Sequence, residues 1–205
     1  MPLNSNIQGV IFHCINIGNK FCLVESCKLE NVSDAFKRWK NTDSINEADI
    51  EQLAKIENES ERVNRTYDIF NEDARLNHSK AARVEFLTTV HYIEKYLKEG
   101  DKILDIGAGA GEYSLYFARK GYKVSALELA DANIIAFRKK LTSNDRIDLV
   151  QGNALDLSRY ADKSFDIVLL FGPLYHLKND ADKQKCISEA KRVCKDGGKI
   201  FFAFI

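Results

Sequence analysis

A glycine-rich turn between a buried strand and a helix constrains this chain more than any other stretch. Residues Leu104–Ser114 read LDIGAGAGEYS, in which an apolar strand runs into Gly107, Gly109 and Gly111 and then into a helix. Glycine at alternate positions lets the backbone turn tightly and approach a ligand without Cβ atoms in the way. The first turn of the helix adds free N–H groups, which favour polar or anionic ligand groups. The stretch therefore predicts the ligand-binding end of a βαβ unit.

The spacing of the glycines discriminates between cofactor classes. A dinucleotide fingerprint has the pattern G-x-G-x-x-G, which counted from Gly107 requires glycine at the position of Glu112. The pattern here is G-x-G-x-G, preceded by Asp105. Glu128 lies at the end of the next predicted strand, 21 residues after Gly107, where an acid accepts hydrogen bonds from ribose hydroxyls. An NAD site uses the same device, so the glycine spacing alone disfavours a dinucleotide.

From residue 102 onward, short apolar strands alternate with amphipathic helices. The predicted strands are Lys102–Ile106, Lys123–Leu129, Ile147–Val150, Phe165–Phe171 and Lys199–Ile205. The predicted helices are Glu112–Lys120, Ala132–Leu141 and Asp180–Cys194. This order predicts an α/β protein with a Rossmann-like, doubly wound parallel sheet and helices on both faces.

Taken together, these motifs resemble those of the class I S-adenosylmethionine-dependent methyltransferases, in particular the bacterial enzymes that act on small molecules. LDIGAGAGEYS is similar to motif I, and Phe165–Val168 resembles the start of the fourth strand. KRVCKDGG, at Lys191–Gly198, resembles the R-V-L-K-P-G-G run before the fifth strand. The resemblance covers Tyr67–Ile205 and implies S-adenosyl-L-methionine as the cofactor.

The resemblance also implies roles for residues at the carboxyl ends of the strands. Asp105 and the glycine turn are expected to hold the methionine part, and Glu128 the ribose. Asn153 stands where an acid usually meets the adenine amine, and its side-chain carbonyl can accept that bond without a charge. The expected cofactor-binding residues are Tyr67, Asp105, Gly107, Ala108, Gly109, Gly111, Glu128, Leu129, Asn153, Ala154, Leu155 and Phe171.

Two residues after the fourth strand of the family pattern are candidates for the acceptor side. Tyr175 and His176 lie at the carboxyl edge, where ligands bind in such sheets. His176 can remove a proton from an oxygen or nitrogen nucleophile, and a structural role in the loop stays open. Phe171–Tyr175 reads FGPLY rather than the N/D-P-P-Y/F of adenine or cytosine amino-methyltransferases, which points away from nucleic acid.

Composition narrows the partners and the compartment. Thirty basic and thirty acidic residues cancel, which argues against nucleic acid held mainly by phosphate contacts. No apolar run approaches a membrane span, and the N-terminus lacks a signal peptide's features. Five cysteines without a C-x-x-C pair suit reduced thiols. We therefore expect a cytoplasmic protein with a small-molecule substrate, no nucleic acid, no membrane and no metal.

The N-terminal third is predicted to be an extension, with the boundary between 1–63 and 64–205. Ile7–Ser26 has the pattern of a β-hairpin, and the capping box at Ser44–Glu47 predicts a helix through about Val63. Phe86, Val90, Ile93 and Leu97 predict a long amphipathic helix that stops at Gly100.

The fifth strand poses a question about the edge of the sheet, because the chain stops within it at Ile205. The family's sheet has two further strands, which are missing from this sequence. An open edge carrying Phe201 and Phe202 invites association. Truncation with compensating association, including a homo-oligomer through this edge, ranks first. A covering partner chain and a permuted docking of the Ile7–Ser26 hairpin are the alternatives.

Three functions from different classes follow from these observations. The first is methyl transfer to an oxygen or nitrogen nucleophile of a small molecule. The second is a non-catalytic cofactor-binding or interaction protein derived from a methyltransferase. The third is an NAD-dependent oxidoreductase, which the glycine spacing disfavours.

Overall fold

The computed structural model describes residues 11–17, 20–26, 47–75 and 80–204. Within these residues, seven strands form one sheet in the order β1-β2-β7-β6-β3-β4-β5. The strands are β1 (Ile11–Ile17), β2 (Lys20–Ser26), β3 (Lys102–Ile106), β4 (Lys123–Glu128), β5 (Ile147–Gln151), β6 (Phe165–Leu170) and β7 (Cys194–Phe204). The β1–β2 pair is antiparallel and every other pair is parallel, so the predicted α/β parallel-sheet class is confirmed.

Helices cover both faces of this sheet. They are α1 (Glu47–Lys55), α2 (Glu59–Ile69), α3 (Glu72–Arg75), α4 (Lys80–Glu94), α5 (Glu112–Arg119), α6 (Asp131–Lys140), α7 (Pro173–His176) and α8 (Asp180–Val193). Successive residues of β3 enter different cores: Ile103 packs with α4 and α5, whereas Leu104 packs with α8. Burial on both faces explains why the strands read as continuous apolar runs.

The helices upstream of β3 are shorter than predicted. The single helix expected through Val63 is wrong, because the chain leaves the helical path between α1 and α2. Asn58 caps the second helix, where its Oδ1 accepts a hydrogen bond from Glu61 N at 2.9 Å. The amphipathic helix α4 ends at Glu94 rather than near Gly100, although Phe86, Val90 and Ile93 are buried as predicted. Residues Ser44–Asn46 lie outside the described ranges.

The last strand begins earlier than predicted, at Cys194 rather than Lys199. Phe165 pairs with Cys194 and Ile167 with Lys199, so the register shifts between them. Gly197, with φ +77°, lies in the inserted stretch, so the two glycines expected to turn the chain into the strand form a bulge within it.

The strand predicted to have an open edge is an inner strand of the sheet. β2 pairs with β7 in parallel, from Phe21 beside Lys199 to Ser26 beside Phe204. The exposed-edge prediction is therefore wrong, and the docking of the N-terminal hairpin is confirmed. The turn at 18–19 and residues 7–10 lie outside the described part. The prediction of a homo-oligomer depended on an open edge at this strand, and that edge is covered by β2. The domain boundary at residue 63 stays a prediction.

Deleting residues 1–26 is expected to open the edge of β7, because six backbone pairs with β2 are lost. Unpaired edges recruit other chains, so the deletion variant should sediment as larger species in velocity centrifugation. A variant lacking residues 1–9 keeps both strands and should behave as the parent chain. A soluble deletion variant with an unchanged sedimentation coefficient and melting temperature would show that the hairpin does not protect this edge.

No helix in the described ranges is long and apolar enough to cross a bilayer.

Candidate active site

Four segments meet at the carboxyl edge of the parallel strands. They are the glycine turn after β3, Glu128 at the end of β4, residues 151–155 after β5, and residues 171–176 after β6. Parallel strands end at one edge of the sheet, so the topology alone brings these segments together.

Glycine is required at the three positions of the turn for different structural reasons. All have positive φ, +73° at Gly107, +55° at Gly109 and +86° at Gly111. A Cβ on Gly107 would lie 2.5 Å from Pro173 Cδ, and one on Gly111 would lie 2.4 Å from Phe137 Cε2. These two positions are therefore glycine because neighbouring side chains pack against them. At Gly109 the nearest atom to an added Cβ is Glu72 Cγ at 3.1 Å, so of the three positions this is the one covered only by the end of a flexible side chain, which a ligand can displace.

The Glu128 carboxylate ties the turn to the start of α6. Its Oε2 accepts a hydrogen bond from Gly109 N at 2.7 Å, and its Oε1 accepts bonds from Ala130 N at 2.8 Å and Asn133 Nδ2 at 3.2 Å. The residue is 4% exposed, and burial raises the pKa of its carboxyl. A carboxylate oxygen has two lone pairs, so Oε2 keeps one acceptor position for a ligand hydroxyl.

A second buried acid, Asp105, lies on β3 beside the turn. It is 2% exposed, and its Oδ2 accepts a hydrogen bond from Ser114 Oγ at 2.7 Å. Burial raises the pKa of Asp105 to about 7; the Ser114 bond opposes this rise, and the nearby Glu128 charge adds to it. Because both carboxyl groups are buried side by side, a positively charged ligand group beside them would be favoured.

The raised pKa of Asp105 predicts a stability that depends on pH. The unfolded acid ionises near 3.8 and the folded one near 7, so the free energy of unfolding should fall between these values and level off above. Asp105→Asn removes this contribution and should stabilise the protein at pH 8 by about 1–3 kcal/mol. Urea unfolding across this range measures the slope. In Asp105→Asn, part of the dependence of unfolding free energy on pH should persist because of Glu128. A slope equal to that of the parent chain would contradict the assignment to Asp105.

The segment after β5 is shaped by the side chain expected to meet adenine. Asn153 Oδ1 accepts a hydrogen bond from Leu155 N at 2.8 Å, and its Nδ2 donates to Ser60 Oγ at 3.3 Å. One lone pair of Oδ1 remains for a ligand amine. Ser60 lies on α2 and belongs to no motif, so nothing in the sequence marks it as a neighbour of Asn153.

Tyr67, expected for the cofactor, lies against His176, expected for the acceptor. Tyr67 Oη and His176 Nε2 are 3.0 Å apart and hydrogen-bonded. Arg62 Nη2 donates to the backbone oxygen of His176 at 2.8 Å, fixing α7 to α2. Burial, with the Arg62 charge as a smaller cause, lowers the pKa of His176 to about 4. Sequence reasoning did not single out Arg62, and no local pattern marks it.

The remaining predicted residues border the same edge. Phe171 is half-buried, with its ring edge-on to Tyr113 at 5.1 Å between centroids, and Ala154 is buried. Tyr175 is 41% exposed, whereas the adjacent His176 is partly buried. Ala108 N donates to Leu127 O at 3.1 Å, which holds the turn against β4.

A cleft of about 220 Å³ opens beside the end of β4. One wall is formed by residues 67–73, and the other by Ala132, Asn133 and Ala136 of α6. Asn64 of α2 joins these walls, since its Oδ1 accepts a hydrogen bond from Asp131 N at 2.9 Å. Asn133 also bonds Glu128, so this cleft adjoins the carboxylate expected to hold a ribose. Within the described ranges, no cluster of three or more His, Cys, Asp or Glu side chains could hold a metal ion.

Known proteins resemble this chain in the same region. Residues 104–202 match the methyltransferase domain family. A demethylmenaquinone methyltransferase of Clavibacter sepedonicus is 36% identical over 102 residues, which cover 49% of this chain and 40% of that protein. A ubiquinone/menaquinone biosynthesis C-methyltransferase of Xanthomonas oryzae pv. oryzae is 33% identical over 144 residues, covering 67% of this chain and 53% of the relative.

Among solved structures, a protein of Pyrococcus horikoshii OT3 superposes with a TM-score of 0.57 and 26% identity. The match covers 67% of this chain and 65% of that chain. The chain spans about half the length of the curated relatives it matches.

Proposed function

Since residues 104–202 match the methyltransferase domain family, we propose that this chain is a class I S-adenosylmethionine-dependent methyltransferase that transfers the methyl group of S-adenosyl-L-methionine to a small-molecule acceptor. One observation carries the proposal beyond the family match. Gly109 N donates to Glu128 Oε2 at 2.7 Å, which joins the turn expected to hold the methionine part to the acid expected to hold the ribose.

The residues around this bond fit such a cofactor. Gly109 presents backbone without a side chain, and Glu128 Oε2 retains an acceptor position for a hydroxyl. Asn153 Oδ1 retains one for an amine. The buried acid Asp105 favours a positive charge beside the turn. We propose that the twelve residues expected from the sequence, with Ser60 supporting Asn153, form this site.

The protein's task in such a reaction is alignment and exclusion of water. When bound, S-adenosyl-L-methionine supplies an electrophilic methyl group on its sulfonium. His176 is uncharged at neutral pH because burial lowers the pKa of its ring to about 4. A ring nitrogen is therefore available to accept a proton from an acceptor, as a weaker base than a free imidazole. Tyr67, through its hydrogen bond to Nε2, orients the ring. Arg62 fixes the backbone of His176.

The acceptor is proposed to be a small molecule with an oxygen or nitrogen nucleophile. The cleft that Tyr67 lines has a volume of only about 220 Å³, and His176 is partly buried, which together support a compact acceptor. The two curated relatives are a demethylmenaquinone methyltransferase and a C-methyltransferase by name, so carbon acceptors such as hydroxyquinones belong in the same test. A cytoplasmic location is part of the proposal, supported by the buried thiol of Cys186, which forms no disulfide.

Methyl transfer from radiolabelled S-adenosyl-L-methionine to a panel of phenols, amines and hydroxyquinones tests the proposal. With a responsive oxygen or nitrogen acceptor, His176→Gln should lower kcat about 100-fold while binding of S-adenosyl-L-homocysteine persists. His91→Gln, which changes an exposed histidine on α4, is the matched control and should leave kcat unchanged. Binding without turnover on the whole panel would favour a non-catalytic cofactor-binding protein instead.

A further inference from the structure

A second cleft lies at the opposite edge of the sheet, where the parallel strands begin. Its volume is about 480 Å³, larger than the cleft beside Glu128. Lys102 and Lys123, which are the first residues of β3 and β4, line it. The candidate active site is at the other end of these strands, so this cleft belongs to neither the proposed cofactor site nor the acceptor site.

Three cations form a row across neighbouring strands at this edge. Lys102 and Lys123 are direct partners in the β3–β4 register. Arg146 lies on the other side of β4, since its backbone oxygen accepts a hydrogen bond from Val124 N at 3.3 Å. Like charges opposite one another destabilise a sheet. Among the residues that the structure describes, none of the three has a carboxylate within 4.0 Å of its charged nitrogens.

The loop between β5 and β6 adds a fourth cation to the lining. Arg159 Nη2 is 3.6 Å from Asp148 Oδ2, and both side chains are about half exposed, at 47% and 59%. The nearby Asp166 carboxylate is already bound by Lys195 Nζ and by the backbone N–H of Lys102. The lining therefore carries four cations and one carboxylate, in a chain whose net charge is zero.

A buried hydroxyl without a partner lies in the same lining. Tyr160 is 8% exposed, and its Oη has no hydrogen-bond partner among the described residues. The ring is held in place by an edge contact with Phe165, with 5.3 Å between centroids, and by the Arg159 guanidinium at 5.4 Å. Buried hydroxyls in native proteins are almost always paired. An unpaired donor among excess cations points to an anionic acceptor.

We propose that this cleft binds a small phosphate-bearing molecule, with Lys102, Lys123 and Arg146 contacting phosphate oxygens. The Tyr160 hydroxyl, which solvent does not reach in the free protein, donates a further hydrogen bond to the same anion once the side chains around it move. The volume lies within the range of about 300–1,000 Å³ typical of small-ligand sites and exceeds what a single phosphate needs. The ligand class is therefore an organic phosphate or a diphosphate rather than an inorganic monoanion.

Calorimetry of the full chain with inorganic pyrophosphate, at constant ionic strength set with chloride, tests this assignment. The double variant Lys102→Gln/Lys123→Gln should weaken pyrophosphate binding at least about tenfold, because two charge-assisted contacts are lost. Tyr160→Phe should weaken binding about threefold or more. The matched control Lys183→Gln/Lys185→Gln changes two lysines of α8 that do not line the cleft, and it should bind as the parent chain does.

Thermal unfolding separates a binding effect from damage to the fold. Without pyrophosphate, Lys102→Gln/Lys123→Gln should melt at the parent's temperature or above, since like-charge repulsion is relieved. Pyrophosphate should raise the melting temperature of the parent chain and of the Lys183→Gln/Lys185→Gln control more than that of Lys102→Gln/Lys123→Gln. Equal shifts in the parent chain and in Lys102→Gln/Lys123→Gln, or no heat of binding in the parent, would overturn the proposal. So would a single-stranded RNA oligonucleotide that displaces pyrophosphate at matched ionic strength, because the ligand would then be a nucleic acid. S-adenosyl-L-homocysteine binding is a separate readout and should persist in the double variant.

Discussion

Gly111→Ala is expected to lower the free energy of unfolding by about 3–5 kcal/mol. This loss is larger than the cost of left-handed backbone strain alone, because the added methyl group also overlaps a neighbouring ring. The residue has φ +86°, and an added Cβ would lie 2.4 Å from Phe137 Cε2. Phe137 is fully buried in one cluster with Leu115 and Ala126, so the ring can move away from the added Cβ only by displacing its neighbours.

Gly121→Ala is the matched control for this variant. Gly121 has φ +96° and no atom within 4 Å of an added Cβ, so the control carries the backbone strain without the steric overlap. It should cost about 1–2 kcal/mol in urea unfolding. Equal losses in the two variants would show that the overlap with Phe137 relaxes and that strain alone makes position 111 a glycine.

Glu128→Ala is expected to abolish detectable binding of S-adenosyl-L-homocysteine and to lower the free energy of unfolding by about 2–4 kcal/mol. The carboxylate accepts hydrogen bonds from Gly109 N, Ala130 N and Asn133 Nδ2. Its removal leaves two buried donors and the partly buried Gly109 N–H without an acceptor, and frees the turn from α6. Calorimetry and urea unfolding on the same preparation measure both effects.

Glu128→Gln separates the two consequences, since it keeps one acceptor oxygen. It should retain most of the stability and weaken product binding by about 10–100-fold, because an amide replaces a charged acceptor. Glu94→Gln is the control for loss of a carboxylate: Glu94 is a partly exposed acid that accepts a hydrogen bond from Tyr116 Oη at 2.8 Å and makes no hydrogen bond to the glycine turn. If Glu128→Ala binds the product as tightly as Glu94→Gln does, Glu128 does not hold the ribose.

Much of the domain's fold is predictable because its signals are local. β3 was predicted with the bounds that the structure gives it, and β4, β5 and β6 differ by one residue at an end. Strands covered on both faces read as apolar runs, and a cap such as Asn179, whose Oδ1 accepts a hydrogen bond from Asp182 N, marks a helix start.

The errors arise where a side chain or a distant strand decides the outcome. Asn58 starts a new helix inside what looks like a continuous one, and pairing with Phe165 extends β7 to Cys194. The glycine spacing predicted the turn correctly, but it cannot show that Gly107 and Gly111 are constrained by packing against Pro173 and Phe137. A pattern of residues has the same form whether a ligand or a neighbouring side chain imposes it.

The two halves of the candidate site that sequence reasoning kept apart are joined by long-range contacts. Tyr67 and His176 are 109 positions apart, and Arg62 is 114 positions from the histidine whose backbone it holds. No periodicity links such residues. The cationic cleft is hidden for a related reason: a net charge of zero averages over a surface on which four cations share one edge.

Calorimetric titration of S-adenosyl-L-homocysteine tests the central claim most directly, with the parent chain, Gly109→Ala and Gly121→Ala compared at pH 7. Gly109 has φ +55°, and a methyl group added there meets only the flexible Glu72 side chain. Gly109→Ala should therefore fold, with a free energy of unfolding about 1 kcal/mol lower than that of the parent chain. We expect the parent and Gly121→Ala to bind the product, Gly109→Ala to bind at least about tenfold more weakly, and none to bind NAD. A parent chain that shows no heat with saturating product, or a Gly109→Ala variant that binds it equally well, would contradict the account.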